Sequence, residues 1–293
     1  MIFDEATRRK LAQLRLVANQ VRPGAFKGQR RSTRYGASIE FADYRNYTPG
    51  DDLRRLDWNL FARLDRPYVK LHHEEEDLSL HLLVDASRSM DWGSGEANKL
   101  RYALRLAAAL SQVALSAGDQ VALTLLGADG DHSNYGPARG NHHFLPLLNF
   151  LESRVAGGAL DLLEAVRAFV RLPRRPGLAI LISDLYLAEG SNSVLHELQG
   201  RGHEVVVLHV LSEDELQPAL AGDLRLIDSE TGSAQEVSLT GGVRNLYQDQ
   251  LRAWRSALQA ECHRRGVSFL PLDTRVPWET AVLIELRRAG VLR

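Results

Sequence analysis

Cysteine is almost missing from this chain, which has a single such residue, Cys262, in 293. A disulfide framework and a cysteine-built zinc site are both excluded, because each needs several cysteines. One cysteine fits a reducing compartment. Cys262 lies in an amphipathic helical pattern with only two arginines close by, so we do not expect a catalytic thiol.

Long hydrophobic runs are missing as well. No run approaches the roughly 18 to 20 apolar residues of a membrane-spanning helix. The N-terminal stretch MIFDEATRRKLAQLRL also lacks the apolar segment of a signal peptide. We therefore expect a cytoplasmic protein with no membrane span.

The chain has no excess of charge of one sign, since 36 basic residues meet 37 acidic ones. Binding of polyanions by the whole chain is therefore not expected. The first forty residues differ, with nine Lys or Arg against three acids, and about residues 4–20 are periodic enough for a helix. Aromatic side chains do not alternate with these basic positions, which argues against binding of single-stranded nucleic acid. A nucleic-acid partner is the least favoured hypothesis.

Two catalytic sequence motifs are absent. Without a G-x-x-x-x-G-K-[ST] phosphate loop the chain is not itself an ATPase of that class. Without G-x-S-x-G the strand-to-helix turn of a serine hydrolase is not predicted.

From residue 78 onward, buried-looking strands alternate with amphipathic helices. Fully apolar runs at 78–84, 177–187 and 204–211 are typical of parallel strands covered on both faces. The sequence predicts an α/β fold with a doubly wound, mostly parallel sheet. We expect this domain to span residues 78–293, with residues 1–77 as an N-terminal extension packed on it.

The stretch LSLHLLVDASRSM places one carboxylate and two hydroxyls directly after a buried strand. In doubly wound sheets, ligands bind at the carboxyl ends of strands. Asp85 lies at one such end and Asp184 at another, with Ser87 and Ser89 in the loop after Asp85. Oxygen donors of this kind suit Mg²⁺ or Mn²⁺. If Asp184 acts through water, the ion keeps positive charge and an open position for an external carboxylate.

DASRS resembles the D-x-S-x-S motif of the metal-ion-dependent adhesion site in von Willebrand factor type A domains. The upstream block ASIEFADYRNYTPGDDLRRLDWNLFAR resembles the signature of the bacterial domain-of-unknown-function 58 family. The positions that fit the signature are Gly36, Glu40, Phe41, Arg45, Tyr47, Gly50, Asp51, Asp52, Arg54, Asp57 and Trp58. The two resemblances together cover nearly the whole chain.

The family resemblance implies a von Willebrand type A-like domain that works as an adaptor or co-chaperone beside a MoxR-type AAA+ ATPase. It implies no established enzymatic activity. It also implies a threonine ligand, but that position falls on Ala159 in VAGGALDLLEAV. Asp161 is an alternative ligand or, as we favour, the cap of the next helix. Metal binding is then expected to be weak, or to depend on the partner's carboxylate.

The charged residues of the upstream block have two interpretations. We favour a buried or half-buried ionic network of Arg45, Asp52, Arg54 and Asp57 over a partner-binding surface. The turn at 48–51 predicts that Asp51 or Asp52 caps a short helix over 58–63.

Other chemistries fit these and the remaining polar residues less well. A phosphoryl-accepting role for Asp85 is disfavoured because Ser87 stands where a second aspartate is usual. Successive strand residues face opposite sides, so His72 and His73 are not expected to chelate one metal. His142 and His143 are expected in a loop before a helix. The main alternative function is a metal-dependent hydrolase that uses the same strand-end crevice.

Overall fold

A computed structural model describes residues 3–18, 41–49, 51, 56–72, 78–127, 133–186, 191–218, 222–228, 232–239 and 241–293. The chain divides into two compact units. One comprises residues 1–21 and 78–293, and the other residues 22–77. The first residues thus group with the main domain and not with the rest of the predicted extension. The expected packing of that extension on the domain stays a prediction.

The helices and strands follow in the alternating order that the sequence predicts. A π-helical turn, Ala281–Glu285, joins the last two helices. In chain order the elements are α1 (Glu5–Ala12), β1 (Phe41–Asn46), α2 (Trp58–Leu64), β2 (Tyr68–His72), β3 (Ser79–Asp85), α3 (Lys99–Ala117), β4 (Gln120–Leu126), β5 (Ser133–Arg139), α4 (Phe144–Glu152), α5 (Leu162–Arg171), β6 (Leu178–Ser183), α6 (Ser191–Gly200), β7 (Glu204–Leu211), α7 (Glu213–Leu216), β8 (Gly222–Ile227), β9 (Ala234–Leu239), α8 (Gly241–Arg264), β10 (Ser268–Asp273), α9 (Trp278–Thr280) and α10 (Leu286–Arg288).

The main domain is built on a six-stranded sheet in the order β10-β7-β6-β3-β4-β5. Its strands are parallel except for β5, which runs antiparallel to β4. All seven residues of β3 are buried. A strand buried on both faces cannot alternate apolar and polar side chains, which explains the continuous apolar run. The predicted α/β fold with a mostly parallel sheet is confirmed.

Helices cover both faces of this sheet and enclose two cores. Leu80, Leu82 and Val84 of β3 face a core shared with α1, α3, α4, α9 and α10. Leu83 faces the other core, which α5, α6 and α8 cover. The central helix α3 begins after its cap Asn98 and ends at Gly118, whose φ of 85° suits glycine.

The N-terminal helix is shorter than the sequence predicted. It ends at Ala12 and not near residue 20, because the chain then extends and pairs with the C-terminus. The backbone of Arg15 exchanges two hydrogen bonds with that of Arg293. Phe3 packs its ring edge against Trp278 at 4.7 Å between centroids. The two ends of the chain are therefore held together within the main domain.

Two buried histidines should make the fold sensitive to acid. Burial, and then the charge of His203, lowers the pKa of His81 to about 3. Burial lowers that of His203 to about 4. Both pKa values lie below the usual 6.5, so the unfolded chain binds more protons between about pH 3 and 6.5. The stability that the neutral rings contribute is complete above pH 6.5 and is lost as the pH falls.

We expect His203→Gln to flatten the pH dependence of unfolding, measured by urea denaturation between pH 4 and 7.5. The difference in slope should correspond to about 1 to 3 kcal/mol over this range. An exposed control, His142→Gln, should leave the slope unchanged. Equal slopes for the wild type and His203→Gln would contradict the expectation.

Candidate functional site

The loop after β3 forms the centre of the candidate site. Asp85 ends the strand and is buried, and the backbone N–H of Ser87 donates to its Oδ1 at 2.9 Å. The Oγ atoms of Ser87 and Ser89 lie 3.0 Å apart. A short 3-10 turn follows, with the fully buried Met90 as its anchor. The loop therefore gathers one carboxylate and two hydroxyls within a single turn of chain.

A second loop lies against the first through its backbone. Gly157 N–H donates to the carbonyl of Ala86, and Arg88 N–H donates to that of Gly158. The predicted threonine position is thus beside the D-x-S-x-S loop, where the side chain of Ala159 offers no oxygen. Asp161 instead accepts from Glu164 N–H at 3.1 Å and caps α5, as we favoured.

Asp85 and Asp184 meet because their strands are neighbours. In the pairing of β3 with β6, Val84 stands opposite Ile182, which aligns the two strand ends. Ser183 Oγ donates to Asp85 Oδ2 at 2.6 Å. Burial, and then the negative charge of Asp184, raises the pKa of Asp85 to about 6. The structure therefore places both predicted carboxylates close together at the buried strand ends.

Lys99, which the sequence analysis missed, lies at the same spot and is fully buried. Its Nζ donates to Asp184 Oδ2 at 2.7 Å and to Glu215 Oε1 at 2.6 Å. The ammonium also lies 5.1 Å from the centre of the Tyr186 ring, within the range of a cation–π contact. One signal was available, because Lys99 shares a helix face with Ala103 and Leu106, both buried.

Glu215 is fixed in place by a helix cap. Ser212 N–H and Ser212 Oγ both donate to Glu215 Oε2, at 2.7 and 2.9 Å, in a capping box at the start of α7. This S-x-x-E pattern follows a predicted apolar strand and was therefore visible in the sequence. Its role as the second partner of Lys99 was not.

The backbone after β6 is bent to bring these groups together. Leu185 is buried and has a φ of 53°, an uncommon value for a leucine. The carbonyl of Asp184 accepts from His209 Nε2 at 2.9 Å, and its Oδ1 accepts from Tyr186 N–H at 3.2 Å. Each of the three oxygens of Asp184 thus accepts a hydrogen bond from within the chain.

The side-chain oxygens of the site fit a hard cation, but they fill only part of its coordination sphere. Asp85, Ser87 and Ser89 supply only oxygen, which suits Mg²⁺ or Mn²⁺. The carboxylates of Asp85, Asp184 and Glu215 outnumber the single ammonium of Lys99, so further positive charge can be accommodated. Across the described ranges, however, no group of three or more His, Cys, Asp or Glu side chains is arranged to hold a metal. A metal here would depend on the serines and on ligands from outside.

The residues of the upstream block lie in the smaller unit, where β1 and β2 pair antiparallel. Arg45 binds Asp51 at 2.8 Å in a half-exposed ion pair, and Asp51 also accepts from the backbone and hydroxyl of Thr48. Asp57 is buried and accepts from Tyr44 Oη. Glu40, Asp52 and Arg54 lie outside the described residues, so the predicted ionic network is seen only through Arg45 and Asp57, which bind different partners.

The predicted helix cap was wrong. Asp57, and not Asp51 or Asp52, caps α2 by accepting from Asn59 N–H and Leu60 N–H at 3.0 Å. The reason is distance along the chain, since a cap must stand immediately before the first helical residue. Trp58, the first residue of that helix, is 62% exposed and contacts Phe61.

The remaining candidates take structural positions. His72 ends β2, and His73 lies outside the described residues. His142 and His143 form a 3-10 turn before α4. Cys262 is buried, and burial raises the pKa of its thiol to about 11, opposite to what a reactive thiol needs.

Comparison with known proteins settles the family. The family described as "Protein of unknown function DUF58" matches residues 43–257. The chain belongs to this family. A related uncharacterized protein of Mycobacterium tuberculosis, Rv1480, is 30% identical over 297 residues, which covers 99% of this chain and 93% of the relative. The uncharacterized protein Mb1516 of Mycobacterium bovis matches to the same extent.

Solved structures with some likeness to this DUF58 protein share little sequence with it. BatB from Bacteroides thetaiotaomicron is 16% identical, with a TM-score of 0.42, over 73% of this chain and 98% of that one. An aerotolerance-related membrane protein from Bacteroides fragilis is 18% identical, with a TM-score of 0.44, over 72% and 99%. The manganese-loaded TRAP protein of Plasmodium vivax is 17% identical, with a TM-score of 0.33, over 45% and 57%.

Within the ranges that the structure describes, no helix combines the length and the apolar character needed to cross a membrane.

Proposed function

We propose that this DUF58 protein is a non-enzymatic adaptor that binds a carboxylate of a partner protein through a divalent cation, Mg²⁺ or Mn²⁺. The observation that carries the proposal is the pair of hydroxyls of Ser87 and Ser89, 3.0 Å apart and one turn from the buried Asp85. These three residues would hold the ion. When bound, the ion supplies a positive charge and an open position for an external carboxylate.

The charges of the site favour binding over hydrolysis. Asp184, the other carboxylate at the strand ends, is engaged by Lys99. A hydrolase needs a general base within reach of its water or substrate. The carboxylate beside Asp85 is instead held by a buried ammonium. A site of this kind is suited to holding a charged ligand in place.

The proposed partner is a MoxR-type AAA+ ATPase. Support comes from membership in the DUF58 family and from the family's association with such ATPases that the sequence resemblance implies. A surface carboxylate of the partner, or of a client that the two proteins share, would complete the coordination of the ion. We place this complex in the cytoplasm.

Affinity capture tests this proposal. Tagged wild type, Asp85→Asn and Asp161→Asn would each be incubated with native lysate, with Mg²⁺ or with chelator, and captured AAA+ ATPases identified by mass spectrometry. Loss of a ligand or its support typically lowers metal binding about 10- to 100-fold. We expect recovery of the ATPase to fall by about that factor in Asp85→Asn and in chelator.

Asp161→Asn is the matched control, since it removes the same charge from an exposed helix cap. It should behave as the wild type does. The proposal would be contradicted if recovery of the ATPase changed neither with chelator nor with Asp85→Asn. Turnover of phosphate or carboxylate esters that Asp85→Asn abolishes would replace it with the hydrolase alternative.

A further inference from the structure

The site already contains a cation that belongs to the chain. Lys99 is almost completely buried, and its ammonium lies 2.7 Å from Asp184 and 2.6 Å from Glu215. A buried ammonium is tolerated only where opposite charges and hydrogen bonds replace water. Asp184, Glu215 and the Tyr186 ring provide that environment. Lys99 is therefore a fixed charge and not a mobile surface lysine.

The position of Lys99 is not explained by the helix that carries it. Lys99 is the first residue of α3, where the helix dipole disfavours positive charge. Acidic residues are the usual choice at such positions. The charge is instead directed at the strand ends, where Asp184 follows β6 and Asp85 ends β3. The ammonium of Lys99 therefore balances negative charge at the strand ends.

We propose that Lys99 is a tethered cation that shares this site with the divalent ion, holds Asp184 and Glu215, and leaves Asp85, Ser87 and Ser89 to the metal. The inference rests on the proposed function. In this proposal Lys99 also keeps the metal affinity of the free protein low. Asp184, the acid expected to support the ion, is already neutralised by the lysine.

Coulomb attraction gives the direction of this effect. Removing the ammonium leaves the buried Asp184 beside Asp85 with no cation bound to it. Such a pair of carboxylates attracts a divalent cation more strongly, because charges interact strongly where water is excluded. A carboxylate from a partner adds negative charge in the same way. The lysine therefore couples tight metal binding to the arrival of the partner's acid.

Mn²⁺ binding to the purified full chain tests the inference, with free Mn²⁺ followed by electron paramagnetic resonance. Wild type and Lys99→Met would be compared with Arg105→Met, which removes an equal charge from the same helix. Arg105 pairs with the exposed Glu96. We expect Lys99→Met to bind Mn²⁺ about tenfold or more tightly than the wild type, and Arg105→Met to bind as the wild type does.

A second variant covers the case in which Lys99→Met does not fold. Lys99→Gln combined with Glu215→Gln removes one charge of each sign, so the formal net charge of the chain is unchanged. Asp184 is still released from its lysine, and we expect Mn²⁺ affinity to rise by about tenfold. A rise in this variant cannot come from net charge alone.

The outcomes separate the two proposals. Metal binding by the wild type that Lys99→Met and the double variant leave unchanged would overturn the role of Lys99 and keep the proposed metal site. Binding in neither the wild type nor the lysine variants would overturn both. A rise that is equally large in Arg105→Met would also overturn the inference, because it would reflect net charge.

Discussion

Lys99→Met is expected to lower the free energy of unfolding by about 3 to 5 kcal/mol in the absence of metal, the usual cost of removing one partner of a buried ion pair. The lysine side chain is 1% exposed and that of Asp184 is 2% exposed, so solvent cannot replace the lost ammonium. The buried carboxylate of Asp184 would remain without its cation, and the half-buried Glu215 would lose the same partner. Urea denaturation at pH 7.5, followed by circular dichroism, measures the change.

Arg105→Met is again the control, since exposed ion pairs contribute only about 0 to 1 kcal/mol. Glu215→Gln should fall between the two, because Asp184 still pairs with Lys99. Mn²⁺ should restore part of the stability of Lys99→Met and little of that of the wild type. A loss below about 1 kcal/mol for Lys99→Met would show that the carboxylates are neutral or hydrated in the folded protein.

Stability alone does not account for this cluster. A buried ion pair often stabilises a protein no more than well-packed apolar residues of similar volume would. The chain nevertheless places a lysine, two acids, a capping box and a leucine with a positive φ at one edge of the sheet. Strained backbone and buried charge concentrate at sites that bind or react. The cluster therefore favours a functional over a purely structural role for the strand ends.

The central strands were predictable because burial on both faces imposes a continuous apolar run. β7 begins and ends where the sequence predicted, at 204 and 211. β5 was missed for the opposite reason. Its sequence SNYGPAR is mostly exposed at the sheet edge and contains Gly136 and Pro137. Edge strands of this kind have neither an apolar run nor strict alternation.

The carboxylates of Asp85 and Asp184 were predictable from the sequence, and the pair of Lys99 and Glu215 was not. Asp85 and Asp184 end apolar runs, and strand ends meet at one edge of a parallel sheet. Lys99 and Glu215 are separated by 116 residues, and their pairing depends on where α3 and α7 lie over that edge. Lysine and glutamate are normally exposed, so their residue types alone do not indicate a buried pair. Tertiary structure decides such pairs.

Gly177→Ala should destabilise the protein strongly, although it adds only one methyl group. A Cβ atom at this position would lie 2.0 Å from the carbonyl oxygen of Ser79 and 2.8 Å from its Cβ. No contact so short is tolerated, and overpacking of this kind forces backbone movement. We expect the free energy of unfolding to fall by at least about 3 kcal/mol, or soluble protein to be lost.

Neither side of this contact can move without breaking hydrogen bonds. Gly177 N–H donates to His203 Nδ1, and its carbonyl accepts from Glu204 N–H at the start of β7. Ser79 is paired with Gln120 of β4 in the centre of the sheet. Gly200→Ala is the matched control, because nothing lies within 4 Å of a Cβ there and the residue ends α6. That control should be neutral or stabilising by up to about 1 kcal/mol, since alanine reduces the entropy of the unfolded chain. Equal urea midpoints for the two variants would mean that β3 and the Gly177 segment are farther apart than described.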